Sequence, residues 1–160
     1  MSNLKKLFDK YECDKSSKHG YHEVYEQYFE PVREEPIRIL EIGVWKGAST
    51  AAFAEYMPNA EIVGVDIFTR NKPEDTLVYE NENVTLVKGD STLSTRGVSG
   101  KFDFIIDDGK HTPEANTRTF QNFFSLLKPT GVYFIEDVWP LHKMTTKEWE
   151  HPWVKNAPDK

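Results

Sequence analysis

The sequence predicts an α/β protein built on a doubly wound, mostly parallel β-sheet. Apolar segments of strand length alternate along the chain with segments whose apolar residues recur at helical spacing. This alternation is typical of βαβ units. The strand-like segments are nearly continuous apolar runs, which indicates strands covered by helices on both faces. With 160 residues, of which 38% are hydrophobic, the chain suits one folded domain.

The N-terminal part is predicted to begin with helices and then to enter the sheet. A short helix is expected at 3–11, and a polar link separates it from a helix at 21–33. The apolar residues of the second helix recur at helical spacing: Val24, Tyr25, Tyr28, Phe29 and Val32. The first strand is expected at 37–43. A helix at 47–57 follows it, and Pro58 ends that helix.

The remaining elements continue the alternation. Further strands are predicted at 61–68, 83–90, 102–108 and 131–138. A short helix is expected within 72–80. The helix at 112–128 has Thr112 as its expected N-cap and Pro113 in its first turn. Its apolar stripe consists of Phe120, Phe123, Phe124 and Leu127. We expect one domain over 1–160, with a helical cap at 1–35, a core at 36–138 and a tail at 139–160.

Composition narrows the class of partner. The net charge of −6 argues against nucleic acid, since binding to phosphate backbones requires clustered Lys and Arg. Cys13 is the only cysteine, which is compatible with a reducing compartment. No signal peptide and no apolar window near the roughly 20 residues that cross a bilayer are recognised. These observations predict a cytoplasmic protein without a membrane partner that acts on small molecules or proteins.

In open parallel sheets, ligands bind beyond the carboxyl ends of the strands. The first predicted strand ends in "EIGVWKGAS", with Glu41, Gly43 and Gly47. Glycines at this point allow a ligand to approach the backbone, although a glycine turn between strand and helix is also ordinary. Trp45 occupies the place of the second glycine in the dinucleotide fingerprint, which disfavours an NAD-dependent enzyme.

The next two strand ends carry acids that suit a nucleoside. Asp66 ends the second strand, where a carboxylate can accept two hydrogen bonds from a ribose diol. Asp90 and Ser91 follow the third strand, and Asp90 could accept from an adenine amino group. The alternatives are a solvated aspartate at the second strand and a helix start at the third.

Two acid pairs end the fourth and fifth strands. They are Asp107–Asp108 and Glu136–Asp137, and neighbouring strands lie roughly 5 Å apart. Carboxylates at that separation repel each other unless they are protonated or bind a cation, and Mg²⁺ or Ca²⁺ suits oxygen ligands. His111 lies at the edge of this group and suits general-base chemistry near neutral pH. An Asp-Gly turn with a surface histidine is the alternative.

A non-haem iron site is a further alternative for the same acids. It requires two histidines and one carboxylate. His111 is well placed, and His19 or His22 would have to supply the second imidazole.

Several stretches together carry a family likeness. They are "CDKSSKHGYHEVYEQYFEPVR", "ILEIGVWKGAST", "AEIVGVDIF", "FDFIIDDGKHTPE" and "LLKPTGVYFIEDV". The chain resembles class I S-adenosylmethionine-dependent methyltransferases with a Rossmann-like sheet. Within that class it resembles the macrocin and mycinamicin sugar O-methyltransferases and the related cephalosporin hydroxylase-like proteins. The resemblance implies transfer of a methyl group to a hydroxyl of a small molecule such as a sugar or another vicinal diol.

The resemblance also implies roles for individual residues. The Mg²⁺ ligands would be Asp108, Glu136 and Asp137, and His111 would be the catalytic base. The S-adenosylmethionine site would include Glu41, Gly43, Gly47, Asp66, Asp90, Ser91 and Asp107. His19 and Tyr21 would close over the cofactor or the acceptor.

The sequence departs from the family pattern at its C-terminal end. Methyltransferases of this fold usually carry two further strands beside the fifth, and no strand-like run follows Val138. The fifth strand would then be an exposed edge, covered by the tail tryptophans or by a second subunit of a homo-oligomer. A shortened, non-catalytic S-adenosylmethionine-binding module is therefore an alternative to the enzyme.

Overall fold

A computed structural model describes residues 3–138 and gives a five-stranded parallel sheet in the order β3-β2-β1-β4-β5. The strands are β1 (Arg38–Ile42), β2 (Glu61–Asp66), β3 (Val84–Lys88), β4 (Phe102–Asp107) and β5 (Leu127–Ile135). The chain first moves outward from β1 to β3 and then returns to the other side of β1 as β4. The adjoining carboxyl ends of β1 and β4 are therefore the topological switch point, where ligands bind in such sheets.

Helices cover both faces of this sheet. The helices are α1 (Asn3–Lys10), α2 (Asp14–Ser17), α3 (His22–Phe29), α4 (Ala48–Tyr56) and α5 (Pro113–Phe123). On one face, Phe8, Phe29 and Phe53 from α1, α3 and α4 pack around Ile39 of β1. On the other face, Phe123 of α5 joins the next strand residue, Leu40, and its neighbours. The alternation of Ile39 and Leu40 between two cores confirms the predicted doubly wound fold.

The largest departure from prediction concerns the helix expected at 112–128. Helix α5 ends at Phe123, a 3-10 turn follows, and β5 begins at Leu127, four residues earlier than predicted. Phe102 of β4 pairs with Leu127, but Phe104, only two residues later, pairs with Val132, five residues later in β5. The register therefore shifts between these pairs, and β5 contains a bulge. Lys128 within that bulge forms an ion pair with Asp103 at 2.9 Å. This long-range pairing overrides the helical periodicity of the sequence.

Two of the predicted apolar stripes are only partly buried. In α5, Phe123 is buried whereas Phe120 and Phe124 are exposed and stack on each other. In α3, Tyr25 and Phe29 are buried, whereas the other two stripe residues of that helix, Val24 and Tyr28, are exposed. Each helix therefore presents a narrower face to the core than its periodicity indicated.

Smaller differences occur in the connecting segments. The link predicted to be polar contains α2, and within 72–80 the structure has only a 3-10 turn at Pro73–Asp75. The predicted tail at 139–160, with the tryptophans expected to cover the sheet edge, lies outside the described residues. Across residues 3–138 no helix has the length and apolar character required to cross a bilayer.

Candidate active site

A cavity of about 720 Å³ opens beyond the carboxyl ends of the strands. Its size suits a small-molecule ligand. The predicted site residues on its wall are Gly43, Asp66, Asp90, Ser91, Asp108, His111, Glu136 and Asp137. Every strand end thus contributes at least one predicted residue to a single cavity.

Gly43 permits the close approach of the β1 and β4 ends. Its φ is +95°, and a Cβ at this position would lie 2.0 Å from the carbonyl oxygen of Asp108. The amide of Asp108 donates to the carbonyl of Ile42 at 2.9 Å on the same side. Glycine is required here because the neighbouring strand leaves no room for a side chain. This close approach brings Asp108 against the glycine turn.

Three residues predicted to contact the cofactor do not line the cavity. Glu41 is fully buried and accepts hydrogen bonds at 2.5 Å from Ser49 and Thr50 in the first turn of α4. Gly47 is the N-cap of α4, with a φ of 81°. Asp107 is buried behind the wall. Glu41 and Gly47 therefore set the position of α4 instead of offering a surface to a ligand.

Asp66 shapes the cavity wall with both of its carboxylate oxygens. Oδ2 accepts from the amide of Trp45 at 2.8 Å, and Oδ1 accepts from the amide of Phe68 at 2.7 Å. Trp45 and Phe68 both have a φ of 48°. The carboxylate thereby stabilises two left-handed residues. Trp45 is exposed on the cavity wall, 59% of its surface being accessible, and offers a large apolar side chain to a ligand.

Asp90 and Ser91 connect the third strand end to α5. Asp90 Oδ1 accepts from both the amide and the hydroxyl of Thr92, at 2.9 and 2.7 Å. Within residues 3–138, Asp90 Oδ2 accepts no hydrogen bond and remains an available acceptor. The hydroxyl of Ser91 lies 3.0 Å from that of Thr119. Ser91 therefore contacts the helix that begins just after His111.

The two aspartates at the end of β4 lie in different surroundings. Asp107 is 2% exposed, its Oδ1 accepts from the amide of Gly109 at 3.2 Å, and its Oδ2 has no partner within residues 3–138. Burial raises the pKa of Asp107 to about 6. Asp108 is only partly buried and faces the cavity. Successive strand residues point to opposite faces, which explains the separation of the pair.

Asp108, His111 and Asp137 form a compact group on the cavity wall. One potential ligand atom from each of them lies within 4.8 Å of the others, and all three are partly buried. Nε2 of His111 lies 3.5 Å from Oδ1 of Asp108. Asp137 follows β5 with a φ of 51°, and its Oδ1 accepts from the hydroxyl of Tyr21 at 2.6 Å. Two carboxylates in such proximity suit a hard divalent cation.

Glu136, the third predicted metal ligand, is paired with a buried ammonium. Lys15 Nζ of α2 lies 2.6 Å from Glu136 Oε2 and 2.5 Å from Asp108 Oδ2. The other oxygen of Glu136 accepts from the hydroxyl of Tyr25. Burial raises the pKa of Glu136, and the attraction of Lys15 opposes that increase. Within residues 3–138, Glu136 is not part of the group that could enclose a metal ion.

Sequence reasoning missed Lys15 and Tyr25. Nothing in the sequence around Lys15 indicates that this lysine of a polar link is buried. Tyr25 was assigned to the apolar face of a helix, so its hydroxyl was not considered as a hydrogen-bond donor at the site. The nearby "KHGY" element, by contrast, was expected to contribute. His19 lines the cavity, stacks on Tyr21 and has its Nδ1 3.7 Å from Asp137 Oδ1. Closure of this element over a ligand remains a prediction.

The iron alternative finds little support at this site. The group of potential metal ligands contains one histidine, His111. His22 is buried, and its Nδ1 has no partner within residues 3–138. The iron triad needs two histidines, so the donor set favours a hard divalent cation.

Comparison with known proteins assigns this sheet and its strand-end cavity to a family. Residues 40–138 match the family described as a methyltransferase domain, and the chain belongs to that family. It is 32% identical over 152 residues to a demethylmacrocin O-methyltransferase of Streptomyces fradiae, covering 86% of this chain and 36% of that protein. It is 30% identical over 136 residues to a mycinamicin VI 2''-O-methyltransferase of Micromonospora griseorubida, covering 76% of this chain and 32% of that protein.

A solved structure gives the same assignment. The MycE methyltransferase of the mycinamycin biosynthetic pathway, in complex with Mg, SAH and mycinamycin VI, superposes with a TM-score of 0.72 at 28% identity. The alignment covers 84% of this chain and 39% of MycE. The matched part of the chain thus spans between 32% and 39% of the length of these relatives. The predicted resemblance to the macrocin and mycinamicin methyltransferases is confirmed.

Proposed function

We propose that the chain is the S-adenosylmethionine-binding part of a Mg²⁺-dependent O-methyltransferase that acts on a small molecule with neighbouring hydroxyls, such as a sugar. The observation that carries the proposal is the group formed by Asp108, His111 and Asp137 on the same cavity wall as Asp66 and Asp90. The names of the sugar O-methyltransferases that the chain resembles, and the Mg and SAH bound by MycE, support it.

The cavity residues fit S-adenosylmethionine. Asp66 would accept from the ribose hydroxyls, and Asp90 Oδ2 would accept from the adenine amino group. Gly43 and Ser91 would form the adjoining wall. Glu41, Gly47 and Asp107 would support these residues from behind, since none of them lines the cavity.

The acidic group fits Mg²⁺. Asp108 and Asp137 would hold the ion together with Glu136, the third predicted ligand, which is paired with Lys15 in this structure. When bound, the cation would lower the pKa of an acceptor hydroxyl by withdrawing electron density from its oxygen.

His111 would remove the hydroxyl proton. Its imidazole lies on the cavity wall with Nε2 3.5 Å from Asp108 Oδ1, beside the carboxylate that would hold the ion. When bound, S-adenosylmethionine would supply the methyl group from its sulfonium, and the acceptor oxygen would take that methyl as the bond to sulfur breaks. A cavity that holds the acceptor oxygen in line with that bond lowers the barrier by orientation.

Calorimetry followed by a methyl-transfer assay tests this proposal. We expect micromolar binding of S-adenosylmethionine, and turnover on sugars, polyols or catechols that stops with EDTA. The substitution His111→Gln should reduce kcat by about 10²-fold or more while leaving cofactor affinity unchanged, because only proton transfer is lost.

The matched control is His19→Gln, which makes the same change at the other imidazole on the wall. A smaller loss there than in His111→Gln supports His111 as the base. The reverse order would transfer the role to His19. Cofactor binding without turnover, unaffected by EDTA, would instead support the non-catalytic module, and preferential binding of NAD would exclude both functions.

A further inference from the structure

Trp45 is an exposed aromatic residue in a backbone conformation that bulky residues rarely adopt. Its φ is 48°, and 59% of its surface is accessible on the cavity wall. Two side chains hold this backbone in place: Asp66 Oδ2 accepts from its amide at 2.8 Å, and Asn71 Nδ2 donates to its carbonyl oxygen at 2.5 Å. Strain of this kind persists only where the surrounding structure fixes it, and it is concentrated at ligand sites. The turn after β1 therefore holds the indole on the wall at an energetic cost.

Packing does not account for this indole. Within residues 3–138 the ring of Trp45 forms no hydrogen bond, no ring stacking and no cation–π contact. The described part of the β1 end also contributes Ile42 and Gly43 to the wall, but Ile42 is 2% exposed and Gly43 has no side chain. The indole is therefore the side chain that the end of β1 offers to a ligand.

The order of the strands indicates which part of the cofactor would meet the indole. In the proposed function, Asp66 on β2 accepts from the ribose and Asp108 on β4 belongs to the metal site, and β1 lies between these two strands. Neighbouring strands are about 5 Å apart, so the two groups are separated by about two strand spacings. The sulfur is joined to the ribose through a single carbon, and its methyl group must reach an acceptor oxygen at the metal site. The sulfonium would therefore lie over the end of β1.

The chemistry of the indole suits this cation. A sulfonium carries a positive charge that does not depend on pH, and the face of an aromatic ring attracts cations, most strongly in tryptophan. The acids nearest to the turn in sequence and in the sheet do not reach the wall: Glu41 is fully buried against Ser49 and Thr50, and Asp107 is buried. An indole attracts the positive charge without adding another carboxylate beside the acidic group.

We propose that Trp45 is a cofactor-specificity residue, whose indole attracts the sulfonium of S-adenosylmethionine and favours this methyl donor over the product, S-adenosylhomocysteine (SAH). This inference rests on the proposed function. The two molecules differ by one methyl group and its positive charge, so an attraction to charge distinguishes them. Once the methyl group has been transferred, the attraction is lost and release of SAH is favoured.

The test compares the two molecules in Trp45→Leu, which keeps an apolar side chain and removes the ring. Calorimetry gives the dissociation constants of S-adenosylmethionine and SAH for wild type and variant. We expect the preference for S-adenosylmethionine, defined as the dissociation constant of SAH divided by that of S-adenosylmethionine, to fall by about threefold or more, as the strength of cation–π interactions implies. A merely structural role would weaken both ligands by the same factor, so the ratio is diagnostic. A smaller fall in folded Trp45→Leu overturns the inference.

Three further variants complete the experiment. Trp45→Tyr keeps an aromatic face, and its preference should lie between those of wild type and Trp45→Leu. The matched control is Ile67→Ala, at another exposed apolar residue of the cavity wall, which should change both dissociation constants by the same factor. Trp45→Gly covers the case in which Trp45→Leu fails to fold, since glycine adopts a positive φ without strain, and it should lose the preference to the same extent. A preference in Trp45→Tyr as low as in Trp45→Leu, or an equal fall in Ile67→Ala, would contradict the role of the ring.

The outcomes separate the two proposals. Wild-type protein that binds S-adenosylmethionine, together with an unchanged ratio in Trp45→Leu, overturns the role of Trp45 and leaves the proposed function intact. Wild-type protein that binds neither molecule overturns the proposed function and the inference with it.

Discussion

At the scale of the residue, the site depends on backbone conformations that side chains rarely adopt. Among residues 3–138, five non-glycine residues have positive φ: Glu12, Trp45, Phe68, His111 and Asp137. The last four of these follow the ends of β1, β2, β4 and β5. Left-handed residues are strained, and such strain concentrates at functional sites. The strained turns direct His111 and Asp137 toward the group that they form with Asp108.

Gly43 allows the sharpest test at this scale. Substitution Gly43→Ala places a Cβ 2.0 Å from the carbonyl oxygen of Asp108 at a φ of +95°. We expect the free energy of unfolding, measured by urea denaturation, to fall by about 3 kcal/mol or more. The control is Gly89→Ala, where no atom lies within 4 Å of the added Cβ. Equal stability of the two variants would contradict the close approach of β1 and β4.

At the scale of the element, α5 fixes the position of the catalytic candidate. The helix starts at Pro113, and its N-cap Thr112 accepts from the amide of Ala115 at 3.2 Å. His111 is the residue immediately before the N-cap. The capped start of α5 therefore restrains the position of the imidazole. The prediction of Thr112 as the N-cap is confirmed.

The N-cap can be tested by substitution. We expect Thr112→Ala to lower the free energy of unfolding by about 1 kcal/mol and Thr112→Ser to retain most of it, because only the hydroxyl caps the amide. The control is Thr117→Ala, an exposed position of the same helix. Thermal denaturation of the three variants checks the order. A larger loss in Thr117→Ala than in Thr112→Ala would argue against the cap.

Cys13 reports on α2, the element that carries Lys15. The thiol is buried, and burial raises its pKa to about 11. At pH 8 we expect a thiol reagent to modify it about 100-fold more slowly in the folded protein than in urea, because the thiolate is the reactive form. The control Cys13→Ala/Ser17→Cys places the thiol at an exposed position of α2 and should react quickly. Rapid modification of folded wild-type protein would mean that the segment opens readily.

At the scale of the whole molecule, charge links the N-terminal helices to the sheet. Lys15, Tyr21 and Tyr25 from the N-terminal segments all bond to carboxylates beyond β4 and β5. The molecule is acidic overall, with a net charge of −6. A cation at the strand ends should therefore stabilise the assembly of both parts.

Ligand-dependent unfolding checks this statement. We expect Mg²⁺ and SAH each to raise the free energy of unfolding, by about 2.7 kcal/mol at a free ligand concentration 100 times the dissociation constant. EDTA should remove the Mg²⁺ contribution only. A melting temperature that is indifferent to both ligands would speak against a site for either of them.

Association through the outer edge of β5 remains a prediction. Within residues 3–138, β5 pairs only with β4, and unpaired strand edges favour association. We expect sedimentation velocity to detect a concentration-dependent dimer. A monomer at every concentration tested would remove the edge as an interface.

Local pattern was sufficient for the sheet, the strand-end acids and the family, since apolar runs, helical spacing and chain order are properties of neighbouring residues. It predicted that Asp108, Glu136 and Asp137 converge beside His111, because parallel strands end at one edge of a sheet, and all four residues line one cavity. The tertiary structure alone decided that Lys15 is buried against Glu136, that Gly43 makes room for a neighbouring strand, and that β5 begins at Leu127. Those outcomes depend on contacts between residues far apart in the chain, about which the surrounding sequence carries no signal.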